Sequence, residues 1–184
     1  MLKNNFLFSA ILKNKNSKKL IFSDKNNKLS WNQLYKMALQ YAHIISRSDS
    51  TNIAIVCDRS LNTIVAIVAV ILSGKTFCPI SDKLPTKRIL FILKQLKTTL
   101  LINNTNKSIK SVNNLSVNLK LKKTYQRSYQ IKKNNITYIL FTSGSTGNPK
   151  GVKLSFLNLE NTLIWSKKYL NWKKNDCIGI ATSF

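Results

Sequence analysis

The sequence predicts an α/β fold, a parallel-rich sheet with flanking helices, and three observations predict it. Residues 52–57 form a compact β-branched run, followed at 60–72 by a strongly apolar helical stretch. A strand joined to a helix that is apolar on most of its sides marks elements buried within a parallel layer. That helix stops at Ser73-Gly74, with glycine as the stop signal. Pro85 then opens a further helix to about Lys97, and short apolar strands follow at 98–103 and 136–141. With 184 residues and 43% hydrophobic content, the chain is long and apolar enough to build a core.

In chain order, residues 6–13 form a short amphipathic helix. Leu20-Ile21-Phe22 and Lys28-Leu29 flank the turn-forming Asp24-Lys25-Asn26-Asn27 as a small hairpin. Ser30 and Gln33 have capping-box spacing, and Trp31, Leu34, Tyr35, Ala38, Ala42 and Ile45 recur on one face, which predicts a long amphipathic helix. Beyond the 60–72 helix, Pro79 and Pro85 are expected to fix two bends. Residues 104–135 are polar and rich in Asn and Lys, and only Val117, Leu119 and Leu121 alternate. They read as surface loops with one or two peripheral strands. Residues 136–141 read as a buried strand and 152–154 as extended; Phe156, Leu159, Leu163 and Leu170 define a helix, and 177–181 a last strand.

The stretch that carries chemistry is Phe141-Thr142-Ser143-Gly144-Ser145-Thr146-Gly147-Asn148-Pro149-Lys150-Gly151. The chain has five glycines and three prolines, and four of those eight fall here. Glycine lets a ligand approach the backbone closely, so that successive amide N–H groups can converge on an anion. Thr142, Ser143, Ser145 and Thr146 add hydroxyl donors, and Lys150 a mobile positive charge suited to phosphate oxygens. The inferred ligand is a polyphosphate, ATP. The Walker pattern does not apply, because the position where it needs its second glycine, counted from Gly144, is Pro149.

This loop resembles the phosphate-binding signature of the adenylate-forming superfamily, which comprises acyl-CoA synthetases, luciferases and amino-acid adenylation domains. Two further stretches resemble its motifs in the expected order. Leu29-Ser30-Trp31-Asn32-Gln33-Leu34 resembles the first, and the block from Leu72 through Gly74, Phe77 and Pro79-Ile80 to Pro85 and Arg88-Ile89 resembles the second. Ser81 stands where the second motif has aspartate, with Asp82 one place late. The second block looks closer to amino-acid activators, nonribosomal peptide synthetase domains and D-alanine carrier-protein ligases, than to fatty acyl-CoA synthetases.

The resemblance implies the N-terminal part of the large subdomain of an adenylate-forming enzyme, incomplete, with residues 1–184 as a truncated portion of an adenylation domain. It implies ATP with Mg²⁺ as cofactors and a small carboxylic or amino acid as substrate. Coenzyme A or a carrier protein is the thiol acceptor, and a second chain is a candidate source of the missing half. Thr142, Ser143, Gly144, Ser145, Thr146, Gly147 and Lys150 would hold the nucleotide's phosphates. The family's metal-binding glutamate, ribose-binding aspartate and catalytic lysine have no counterpart on this sequence, so no catalytic residue is assigned and the chain alone is expected to be inactive. An uncovered apolar face is expected as well. A noncatalytic remnant serving as a partner-binding module stays open as an alternative.

The formal net charge of +24 suggests nucleic acid, but it rests on twenty-six Lys against four Arg, accompanied by twenty-two Asn. That is the usage of an AT-rich coding sequence, and Arg, the better reader of phosphates and bases, is scarce. A basic nucleic-acid-binding protein therefore stays open only as the less favoured third reading. Cys57, Cys78 and Cys177 are odd in number and form no C-x-x-C pair, which fits free thiols in a reducing cytoplasm. His43 reads as an ordinary helix-surface residue, no metal site is assigned, and the longest apolar run, 64–72, is half the ~20 residues that cross a bilayer.

Overall fold

The computed structural model describes residues 6–120, 125, 136–142, 149–171, 173 and 176–179. Its centre is a six-stranded sheet in the order β6-β5-β3-β4-β7-β8. The strands are β3 (Asn52–Cys57), β4 (Thr76–Ser81), β5 (Leu100–Asn103), β6 (Asn113–Leu115), β7 (Ile136–Thr142) and β8 (Lys150–Ser155). All neighbours run parallel except β7 and β8, an antiparallel hairpin. A two-stranded antiparallel ribbon, β1 (Leu20–Ser23) with β2 (Lys28–Ser30), stands apart from it.

Helices cover both faces, and the chain direction dictates which helix goes where. From β3 the chain passes through α3 (Leu61–Leu72) to β4 on one side, then through α4 (Thr86–Leu96) to β5 on the other side of β3. Right-handed crossovers that step in opposite directions along a sheet place their helices on opposite faces. Two cores result. Ile53, Ile55 and Cys57 point into a cluster with α3 and α2 (Trp31–Ser46), while Ala54 and Val56 point into one with Ile89, Ile92, Leu93 and Leu96 of α4. A strand buried on both sides needs apolar residues on both faces, and β3 supplies them without a break from Ile53 to Cys57.

The helix ends follow local chemistry. Ser30 Oγ accepts from Gln33 N at 3.3 Å and Gln33 Oε1 accepts from Ser30 N at 2.9 Å, completing the capping box of α2. Gly74, at φ 74°, follows the end of α3, and Pro85 is the N-cap of α4. At the N-terminus lies α1 (Phe6–Asn14), and α5 (Phe156–Tyr169) follows β8. No helix among the described residues is long and apolar enough to cross a membrane.

Three expectations are corrected and one is borne out. Pro79 fixes no bend: it lies inside β4, opposite Ile55 of β3. β7 meets β4 only at Phe77↔Tyr138, upstream of Pro79, so on that side the missing N–H interrupts no ladder. The Asn-rich segment does carry a peripheral strand, 113–115, parallel to β5, while 117–120, where the apolar residues alternate, is irregular. Strand β7 is buried only at Thr137 and Ile139, because beyond it lies a single hairpin arm rather than a helix-covered sheet. Residues 177–179 of the expected last strand are irregular, with Cys177 and Ile178 exposed, since a strand needs a neighbour to bond to and none flanks them among the described residues.

Candidate phosphate-binding hairpin

Strands β3, β4, β5 and β7 run the same way, so their carboxyl ends share one edge of the sheet. That edge carries ligands in open α/β sheets. β7 reaches it at Thr142, and β8 departs from it at Lys150. Thr142 and Lys150, which bound the loop singled out from the sequence, therefore stand at the carboxyl edge, brought there by a β-branched and aromatic strand.

Thr142 and Lys150 are register partners, and Thr142 Oγ1 donates to Lys150 O at 3.5 Å, a long and weak bond. Both side chains are exposed, and Pro149, which precedes Lys150, is buried. Ser143, Gly144, Ser145, Thr146 and Gly147 lie outside the described residues. The structure thus brings two of the seven predicted site residues together, across the mouth of the loop.

The donor set fits a phosphate. Neither strand of the hairpin carries an acidic residue, so the ammonium of Lys150 and the hydroxyl of Thr142 face no competing carboxylate on it. Among the described residues no group of three or more His, Cys, Asp or Glu could hold a metal, and magnesium would come to such a site with the phosphates it binds.

Gly151, the last residue of the stretch, had no predicted role. It pairs with Phe141, and a methyl group on it would stand 3.1 Å from Ile139 Cγ2 and 3.2 Å from Phe141 Cζ. Only the cross-strand register reveals this contact, since Phe141 and Gly151 are ten positions apart.

Elsewhere on the same edge, Asp58 is engaged at the start of α3. Its Oδ1 accepts from Ser60 N at 3.1 Å, Ser60 Oγ at 2.5 Å and Thr63 Oγ1 at 2.8 Å. Asp24 reaches from the β1–β2 turn to accept from Leu61 N at 3.2 Å. Amide donors, first among them Asn26 N, hold its carboxyl below the usual range. Asp24 is thus committed to the first amide of α3, and Asp58 to its N-cap residue and to the Thr63 hydroxyl of its first turn.

Comparison with known proteins agrees with the fold. A component of the mycosubtilin synthase of Bacillus subtilis is 31% identical over 161 residues, covering 81% of this chain and 6% of that protein. D-alanine--D-alanyl carrier protein ligase of Staphylococcus epidermidis is 28% identical over 146 residues, 76% of this chain and 30% of that one. The solved o-succinylbenzoate CoA synthetase of Bacillus subtilis, in complex with the acyl-adenylate intermediate, superposes with a TM-score of 0.80 at 21% identity over 94% of this chain and 49% of its own. The same enzyme in complex with ATP and magnesium ion gives 0.77 at 18% identity over 90% of this chain and 48% of its own. The chain thus spans a small part of these curated relatives and about half of the solved enzyme. The family model for the AMP-binding enzyme matches residues 8–182, and the chain belongs to that family of adenylate-forming enzymes.

Proposed function

We propose that this chain takes part in ATP-dependent activation of a small carboxylic acid, an amino acid, and that the 141–151 hairpin grips the nucleotide. In this reaction a carboxylate oxygen attacks the α-phosphorus, the bond to the β-phosphate oxygen breaks, and pyrophosphate leaves with that electron pair. The acyl-adenylate then passes to the thiol of coenzyme A or a carrier protein. Thr142, Ser143, Ser145 and Thr146, with the amides of Gly144 and Gly147, hold the β- and γ-phosphates, and Lys150 steadies the departing pyrophosphate. Catalysis in such a site is positioning and charge stabilisation.

The observation that supports the reading is that Thr142 and Lys150, register partners on a hairpin whose strands carry no carboxylate, stand at the carboxyl edge of a parallel sheet. The substrate class is supported by the similarity to a peptide synthase and a D-alanine ligase. Residues 1–184 act as part of an adenylation domain, and the polypeptide that completes it, in the same chain or a second one, supplies the catalytic lysine.

Equilibrium titration of the 184-residue chain with Mg·ATP tests the site. Loss of one charge-assisted contact predicts that Lys150→Ala weakens binding by about tenfold to a hundredfold. An unchanged affinity would refute the phosphate site.

A further inference from the structure

The hairpin's base holds a contact that a ring of phosphate donors does not by itself require. Phe141 and Gly151 are the register pair immediately inside Thr142 and Lys150. Phe141 is half-buried and packs on the core cluster beneath α4, which includes Ala54, Val56, Cys78, Ile80 and Ile139. From there its ring leans across the strand gap onto Gly151, where a methyl group would stand 3.2 Å from Phe141 Cζ and 3.1 Å from Ile139 Cγ2. Gly151 does not have a positive φ, so the position is glycine for space and not for backbone conformation. An aromatic ring laid over a cross-strand glycine pins register and twist in an otherwise open hairpin.

We propose that Phe141 and Gly151 are positioning residues for the nucleotide. The ring, anchored in the core, clamps the bare Cα of Gly151 and so fixes the backbone from which Lys150 projects opposite Thr142. This inference rests on the reading of the hairpin as a phosphate site and names what holds that site in place. A side chain at Gly151 has to lift the ring or shift β8, and Ile139, 4% exposed, leaves little room to give on the other side. The phosphate contacts, which demand sub-ångström placement, are lost before the fold is.

Two measurements on the 184-residue chain test it. In the unsubstituted protein, the Gly151 Hα resonances are expected upfield of ordinary glycine values, from the ring current of Phe141. Unshifted resonances would show that the ring does not lie on Gly151. In Mg·ATP titrations, overpacking at Gly151→Ala is expected to weaken binding about tenfold, with thermal melting little changed. Phe141→Leu alone weakens it less, and the pair Gly151→Ala with Phe141→Leu recovers most of the loss, because the smaller side chain makes room for the methyl. A general structural defect would instead add up in the double variant.

Wild-type affinity in Gly151→Ala, or additive losses in the pair, overturns the inference alone, provided that Lys150→Ala weakens binding. Should Gly151→Ala not fold, the resonance positions and Phe141→Leu decide it. If Lys150→Ala changes nothing, or the unsubstituted chain binds no nucleotide, the phosphate site fails and this inference falls with it.

Discussion

Cys57 and Cys78 stand on adjacent strands, 2% and 0% exposed, and burial pushes both thiols up to about 12. For Cys57 the carboxylates of Asp58 and Asp82 add to the effect of burial in reaching that value. Cys177 is exposed. Since the thiolate is the reactive form, a thiol reagent at pH 8 is expected to label one cysteine in the folded protein and three after denaturation. Rapid labelling of two or three without denaturant would contradict the placement of β3 and β4 in the core. The sequence shows three thiols with no pairing motif, but depth is a matter of strand position. Lys75 makes a similar point. Burial lowers its pKa, and its ammonium donates to Ser48 O at 2.5 Å and Ser50 O at 2.7 Å, tying down the turn between α2 and β3. Nothing in its neighbours along the chain marks it apart from the other lysines.

Helix α2 was legible as an element because its capping box and its apolar stripe agree. Ser155 and Asn158 form a second box on α5. The two boxes predict different costs, because α2 buries Leu34, Ala38, Ala42 and Ile45 in the core, whereas α5 buries only Phe156 among its described side chains. Ser30→Ala is expected to cost about 1 kcal/mol and lower the melting midpoint by about 3 °C. Ser155→Ala should fray α5 locally with a smaller global effect. Equal shifts would mean that α5 is integral to the cooperative unit.

The Asn-rich segment was not legible, and its bonds show why. Asn104 pairs through its side-chain amide with Val117 N and O, Asn114 Nδ2 donates to Ile109 O at 2.6 Å, and Tyr41 OH both accepts from Asn118 N and donates to Asn118 O. His43 stacks on Tyr125 with centroids 4.3 Å apart. Side-chain amides standing in for backbone partners order a segment without leaving any apolar period to read.

For the whole molecule, the helix-covered half and the hairpin half differ. Around β3 both faces are packed, while Leu140, Val152, Leu157, Ile164, Trp165 and Tyr169 of the β7–β8–α5 region are exposed. Among the described residues, exposed large apolar side chains are thus concentrated on the hairpin half. The predicted catalytic consequence is that the 184-residue chain forms no adenylate alone. ATP–pyrophosphate exchange with the common amino acids is expected at background, and exchange above background would refute this.

The α/β class, most helix and strand positions and the glycine-rich stretch that lies between β7 and β8 could all be read from the chain alone. Those depend on local properties: apolar period, capping spacing, and glycine and proline concentrated in one stretch. The strand order, the strand that runs through Pro79, the sides on which the helices lie and the seating of Phe141 on Gly151 emerged only in three dimensions. Each of these is a pairing between residues far apart in the chain, and such pairings are settled by competition for shared core volume and ladder partners, which no local window of residues contains.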